Sequence, residues 1–450
     1  MNVYSEEYKS KLCTADEAVK YVKSGMWVDY TMALGFPYAC DSALARRKDE
    51  LRDVKIRSCI TPKIPEAVAV DPDKEHFTFS SWHFSAVDRK LYEKGLCYFN
   101  PMIYRAKPKF YREYLDVDVC MLSVAPMDEN GYFSFSMNNS ATAAIIEACD
   151  YLIVEVNPNL PNVYGLYDDN VHISRVDCIV EPGPTELMKL PKPAEAGPED
   201  LEIARLVVEE MVDGSVIQLG IGSLPNAIGK MIADSDLQDL GMHTEMLVDA
   251  FLEIAKAGKL TNMGKKRDRR KGVWAFGIGS SDELYDWVRD NRALASAPID
   301  YTNNPRVIAA QDNFRAINSC IEMDLMGQVC SESSGFRQIT GTGGQLDFLE
   351  GAFYSHGGRG YVCFHSTFTD KDGVRHSRIK PQLPSGGIVT TPRTIPFTVV
   401  TEYGKLSTAG ISTWERVEGL INLAHPDFRE ELISEAERMK VWRRSSKIVL

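Results

Sequence analysis

Leu219–Asp249 reads LGIGSLPNAIGKMIADSDLQDLGMHTEMLVD, and it follows a short apolar run, Ser215–Leu219 (SVIQL), suited to a buried strand. Gly220-Ile221-Gly222 makes a tight turn with little side-chain bulk. Pro225 sits where a helix takes its first residue, and Ala227, Ile228, Met231 and Ile232 space out a helical stripe. A second strand is predicted near Met242, with Glu245 at its carboxyl end. Strand, glycine turn, helix and strand together predict an open α/β sheet, where ligands bind at the carboxyl ends of strands. The stretch therefore sets bare backbone N–H groups and one carboxylate on the same rim.

The same order of parts occurs earlier, in VKSGMWVDYTMALGFPYACDSALARRKDELRDVKIRS (22–58). Gly25 matches Gly214 and Leu51 matches Leu240, both 189 residues apart; Pro37 and Ala39 match Pro225 and Ala227 after a one-residue slip in the loop. A repeat at half the chain length predicts two similar α/β domains rather than a solenoid. At the same offset Glu245 corresponds to Ile56. A catalytic carboxylate is needed only once, so this asymmetry favours function.

Between the copies, Glu181–Pro198 holds five prolines and two glycines, too many for the interior of an element. The division predicted is an N-terminal α/β domain at 1–185, a linker at 186–198 and a C-terminal α/β domain at 199–450.

At 450 residues the chain exceeds one core. No apolar run approaches the ~20 residues of a membrane span. The opening MNVYSEEYKSKLCTADEAV has no apolar signal core, so a cytoplasmic protein is expected. A net charge of −12 argues against general nucleic-acid binding. Cysteines 13, 40, 59, 97, 120, 149, 178, 320, 330 and 363 show no zinc-type spacing; reduced, buried thiols and no structural metal are expected.

Five features point to chemistry, each with a plain alternative. Gly220-Ile221-Gly222 lacks the lysine of a P-loop and reads as a ligand loop or simply a turn. Gly341-Thr342-Gly343-Gly344 has three glycines in four residues, fitting close backbone approach to a ligand or a turn packed on its own domain. Glu245 is a catalytic or a surface carboxylate, and His243, two residues earlier, a base or a histidine held by a carbonyl. The basic run Lys265–Lys271 (KKRDRRK) is a solvated loop or a clamp for phosphates. No Ser-His-Asp order, HExxH or GxSxG supports a hydrolase or metalloprotease of those types.

Taken together, LGIGSLPNAIG, DLGMHTEM, ITGTGGQLDF, VVTEYG and INLAHPDFR, with SSWHFSAVDRK and VAPMDENGYFSF, resemble the acetyl-CoA hydrolase/transferase family of coenzyme A transferases over nearly the whole chain. Within it the motifs look nearest the butyryl-CoA:acetate CoA-transferases. The resemblance implies two tandem NagB/RpiA-like domains, homo-oligomers (dimer or tetramer), coenzyme A thioesters and short-chain carboxylates as substrates, and no permanently bound cofactor. It implies exchange of CoA between an acyl-CoA, butyryl-CoA first, and acetate. The 4-hydroxybutyrate, propionate and succinate transferases, an acyl-CoA hydrolase and a non-catalytic CoA-binding module are the alternatives. The family's catalytic glutamate falls on Glu245 and its CoA loop on Gly220, Ile221, Gly222, Ser223 and Leu224. Further CoA contacts fall at Cys320, Gly343 and Ser366, with the Ile221 and Gly343 amides as oxyanion donors. Tyr30–Tyr38 (YTMALGFPY) departs from the butyrate enzymes and, with Trp82, His83, Tyr92, Tyr98 and Tyr104, is the candidate for acyl selection.

Overall fold

Short apolar, β-branched runs build two parallel sheets in a computed structural model that describes residues 3–192 and 194–443. Pro193 of the Pro-rich stretch and residues 444–450 of the expected second domain lie outside the described residues. The first sheet uses β1 (Leu12–Cys13), β2 (Trp27–Asp29), β3 (Val54–Ser58), β4 (Phe77–Ser81), β5 (Tyr98–Phe99), β6 (Val117–Val124), β7 (Cys149–Val156) and β8 (Cys178–Val180). Its order is β1-β8-β7-β6-β2-β3-β4-β5, every pair parallel. The register sets Val28 between Ile56 and Val119, and all three are fully buried. Around them Tyr30, Phe36, Leu44, Phe79 and Ile153 form one core.

The second sheet contains β9 (Val216–Gln218), β10 (Gly241–Leu247), β11 (Phe314–Ser319), β12 (Arg359–Cys363), β13 (Thr398–Thr401) and β14 (Gly404–Ser407). These run in the order β10-β9-β11-β12-β13-β14, parallel except for the last pair. The parallels are specific. β2 lies between β3 and β6 as β9 lies between β10 and β11, and Trp27 and Val216, which open β2 and β9, keep the 189-residue offset. After them come α1 (Tyr38–Arg46) and α2 (Ser223–Asp234).

The chain divides into two compact units. The first comprises Met1–Pro191, Glu245–Leu247 and Val273–Thr302; the second comprises Lys192–Thr244, Val248–Gly272 and Asn303–Leu450. Among the described residues no helix is long and apolar enough to cross a membrane.

Two expectations need correction. Helix α2 begins at Ser223, two residues before Pro225, because Gly222 at its N-cap takes φ +118° and turns the chain early. The thiols are not all reduced: Cys13 and Cys178 form a disulfide. Pairing of β1 with β8 sets Leu12 opposite Ile179 and so brings together cysteines 165 residues apart. The free cysteines are buried, except half-buried Cys320.

Candidate active site

The glycine turn opens at the carboxyl end of β9. A Cβ on Gly220 would meet no atom within 4 Å, so packing within the protein does not demand a glycine there. Gly222 does need to be glycine, since φ +118° strains any L side chain. It caps α2 without a side-chain acceptor, leaving first-turn N–H groups able to face an anion or carbonyl. Ile221, at the turn's tip, is 55% exposed, unusual for so apolar a side chain.

Ile221–Pro225 form one wall of a cleft of about 190 Å³. The other walls are Ser319 and Cys320 at the end of β11, Cys363–His365 at the end of β12, Asp200 and Arg378. Three parallel strands thus point their carboxyl ends at one space, the position where open α/β sheets hold ligands. The structure brings Ile221, Gly222, Ser223, Leu224 and Cys320 together here, with Gly220 leading into the wall.

Gly343 and Ser366 are not in that lining among the described residues. Gly343 is half-buried just ahead of α3 (Gln345–Tyr354). It lies two residues before Gln345, whose Nε2 donates to the Ser319 carbonyl at 3.1 Å. Ser366 is fully buried, and both its N–H (2.9 Å) and its hydroxyl donate to the Glu402 carboxylate.

Sequence reasoning missed the polar side of the cleft. His365 Nε2 meets Asp200 Oδ1 at 2.7 Å, and the Asp200 side chain is only 5% exposed. Arg378 donates through Nη1 to the Ile321 carbonyl, and burial lowers the pKa of its guanidinium. Asp200 is 165 residues from His365, so no local pattern announces the pair. Among the described residues no cluster of His, Cys, Asp and Glu is suited to a metal ion.

Glu245 is half-buried on β10. The strand is held firmly just before it. Met242 N–H donates to Asn262 Oδ1 (2.8 Å), Lys265 Nζ donates to the Met242 carbonyl (2.9 Å), and Thr244 Oγ1 donates to the Leu219 carbonyl (3.3 Å). In the first unit, burial and then the charges of Cys59 and Glu245 hold the Tyr104 hydroxyl pKa well above its ordinary range. Burial also pushes the Cys59 thiol up to about 12, with Glu245 adding to the rise and Lys107 opposing it.

His243 is not a surface base. It is fully buried, with ring centroids 6.1 Å from Phe314 and 6.4 Å from Phe348. The basic run is likewise turned partly inward. Lys265 is 1% exposed and donates to the Met242 and Lys271 carbonyls, which fits a strand clamp better than a phosphate clamp.

Known proteins share this architecture and sequence. Residues 1–185 match the acetyl-CoA hydrolase/transferase N-terminal domain and residues 280–436 the acetyl-CoA hydrolase/transferase C-terminal domain. Butyryl-CoA:acetate CoA-transferase of Anaerostipes caccae is 48% identical over 445 residues, covering 99% of this chain and all of that one. This chain belongs to the acetyl-CoA hydrolase/transferase family.

Another family member, the probable butyrate:acetyl-CoA coenzyme A-transferase of Syntrophomonas wolfei, is 49% identical, with 98% of each chain covered. The crystal structure of RipA from Yersinia pestis superimposes with a TM-score of 0.87 at 34% identity, over 96% of this chain and 98% of that one. The likeness spans both sheets, so the cleft and the Glu245 strand both lie within the matched family chain.

Proposed function

We propose that this enzyme is a short-chain acyl-CoA:acetate CoA-transferase that exchanges CoA between butyryl-CoA and acetate through a covalent intermediate on Glu245. The near-full-length likeness to butyryl-CoA:acetate CoA-transferase carries this reading. The presence of a half-buried carboxylate on a firmly held strand is consistent with it.

Glu245 attacks the butyryl carbonyl carbon and expels CoA as its thiolate, giving a butyryl-glutamyl anhydride. The thiolate attacks the glutamyl carbonyl, the anhydride C–O bond breaks, and butyrate leaves a glutamyl-CoA thioester. Acetate then attacks that thioester to give an acetyl-glutamyl anhydride and CoA thiolate. Attack of the thiolate on the acetyl carbonyl yields acetyl-CoA and restores the Glu245 carboxylate. One hard exchange becomes four additions at carbonyl carbon. One thioester replaces another, so the reaction needs no ATP.

The Ile221 and Gly343 amides are assigned as oxyanion donors, each worth about 3–4 kcal/mol if aimed at the developing charge. Gly220–Leu224, Cys320, Gly343 and Ser366 are assigned to CoA, whose remote contacts can be spent on the reacting carbonyl. We further assign two tandem NagB/RpiA-like domains related by the internal repeat, at 1–185 and 199–450, with Glu245 on a strand of the second. A cytoplasmic homo-oligomer completes the reading.

Initial rates with butyryl-CoA and acetate both varied test this proposal. Parallel double-reciprocal lines are expected of a covalent exchange. Intersecting lines would mean direct transfer in a ternary complex, and thiol release independent of acetate would mean a hydrolase.

A further inference from the structure

Asp29, Arg57 and Lys107 are buried in the first unit, none more than 3% exposed. Burying charged groups is costly unless partners compensate, and such networks are retained where they fix one conformation. Here the partners are specific. Asp29 ends β2, and its Oδ1 accepts from the Thr31 N–H at 2.8 Å. Its Oδ2 accepts from the Tyr111 hydroxyl at 2.5 Å, and that hydroxyl accepts from Trp82 Nε1 at 3.2 Å. The Arg57 guanidinium lies 3.9 Å from the Trp27 ring centroid and donates to the Asp116 carbonyl.

What Asp29 holds is a strained turn. Thr31 has φ +54° and Ala33 φ +44°, left-handed conformations that a β-branched residue rarely adopts. Asn138 Nδ2 secures the same turn by donating to Thr31 Oγ1 at 3.3 Å. Gly35 leaves the room this needs, since a Cβ there would come within 2.4 Å of Thr31 Oγ1. Between the two left-handed residues, Met32 is turned so that its sulfur accepts from the Tyr104 hydroxyl at 3.3 Å. Tyr104 Oη lies 2.6 Å from Ser140 Oγ, and Ser140 is itself left-handed at φ +44°. Strain of this kind concentrates where geometry matters for function.

We propose that Asp29 is a positioning residue for acyl selection: with Tyr111 it fixes the left-handed turn at Thr31 and so the seat of Met32 against Tyr104. This rests on the transferase reading above, and Tyr104 and Glu245 fall in the same compact unit. Asp29 touches no reacting atom; it acts through the loop.

The test measures kcat and KM for acetyl-CoA and butyryl-CoA as donors, with propionate as acceptor. Asp29→Asn should change the butyryl-to-acetyl ratio of kcat/KM by about tenfold, the size of effect that small changes in an apolar pocket produce. The change should fall mainly in KM, with kcat for acetyl-CoA retained. Tyr111→Phe keeps the ring and removes the hydroxyl, with its hydrogen bonds to Asp29 and from Trp82 Nε1, so it should shift the ratio in the same direction, and it decides the matter if Asp29→Asn does not fold. A folded Tyr111→Phe enzyme with the wild-type ratio, or an equal loss of kcat for both donors, would overturn the proposal. Wild-type protein that moves CoA from neither donor would instead overturn the transferase reading on which it rests.

Discussion

Glu245→Gln should lower CoA exchange by on the order of 10⁴-fold or more, the scale seen when a covalent nucleophile is removed. The amide keeps the size of the side chain but cannot attack a thioester carbonyl. Because β10 is tied down at Met242 and Thr244, the variant should fold and unfold as the wild type does. Glu245→Asp separates position from chemistry. It retains a carboxylate but withdraws it about 1 Å, and misplacement of that size can cost about 100-fold. Stopped assays of butyryl-CoA with acetate, read by acetyl-CoA formation, check both values. Full activity in Glu245→Gln would remove the residue from the mechanism.

Lys265→Met should destabilise the protein, and by an amount that grows with pH. Burial lowers the Lys265 ammonium pKa from its ordinary 10.5 to about 7, with Asp268 pulling the other way. Between those two values the unfolded chain holds a proton that the native protein does not, so wild-type stability rises with pH across that window. For this group alone the slope is about 1.4 kcal/mol per pH unit. The contribution is complete above the unfolded pKa and is lost as pH falls through about 7. Methionine has no such slope, and it leaves the Met242 and Lys271 carbonyls without the donor they have now. A buried carbonyl that loses its donor costs about 1–3 kcal/mol, and Met242 is fully buried. Urea unfolding of both proteins at about pH 6.5 and about pH 9.5 should show the gap between them widening at the higher pH. A gap that does not change with pH would mean that Lys265 stays charged in the fold.

The parts that were legible in the sequence are those whose signal is local. SVIQL, the glycine turn and the stripe from Ala227 to Ile232 lie within one window, and the structure forms β9, the turn and α2 there. The helix start moved by two residues because one dihedral, at Gly222, decides it, and Pro225 fits the third helical position as well as the first. Long-range pairings left no such trace. Cys13 meets Cys178 only because β1 and β8 are neighbours, and Asp200 meets His365 only through the fold. Lys265 and His243 show a different limit. A lysine in a run of charges and a histidine beside a carboxylate look functional in one dimension, yet the fold buries both. The loop at Tyr30–Tyr38 stood out by its mismatch with the butyrate enzymes, but its ties to Tyr111 through Asp29 and to Asn138 through Thr31 are visible only in three dimensions.

The covalent step is tested most directly by intact mass measurement of the enzyme mixed with butyryl-CoA and no acceptor. Anhydride formation and return of the thiolate need only the bound donor, so one butyrate should be released per site and CoA should remain on the protein. The mass should rise by CoA less water, hydroxylamine should remove the adduct, and peptide mapping should place it on Glu245 within GMHTEMLVDA. Unmodified protein that nonetheless turns over butyryl-CoA with acetate, or an adduct on any other residue, would contradict the account.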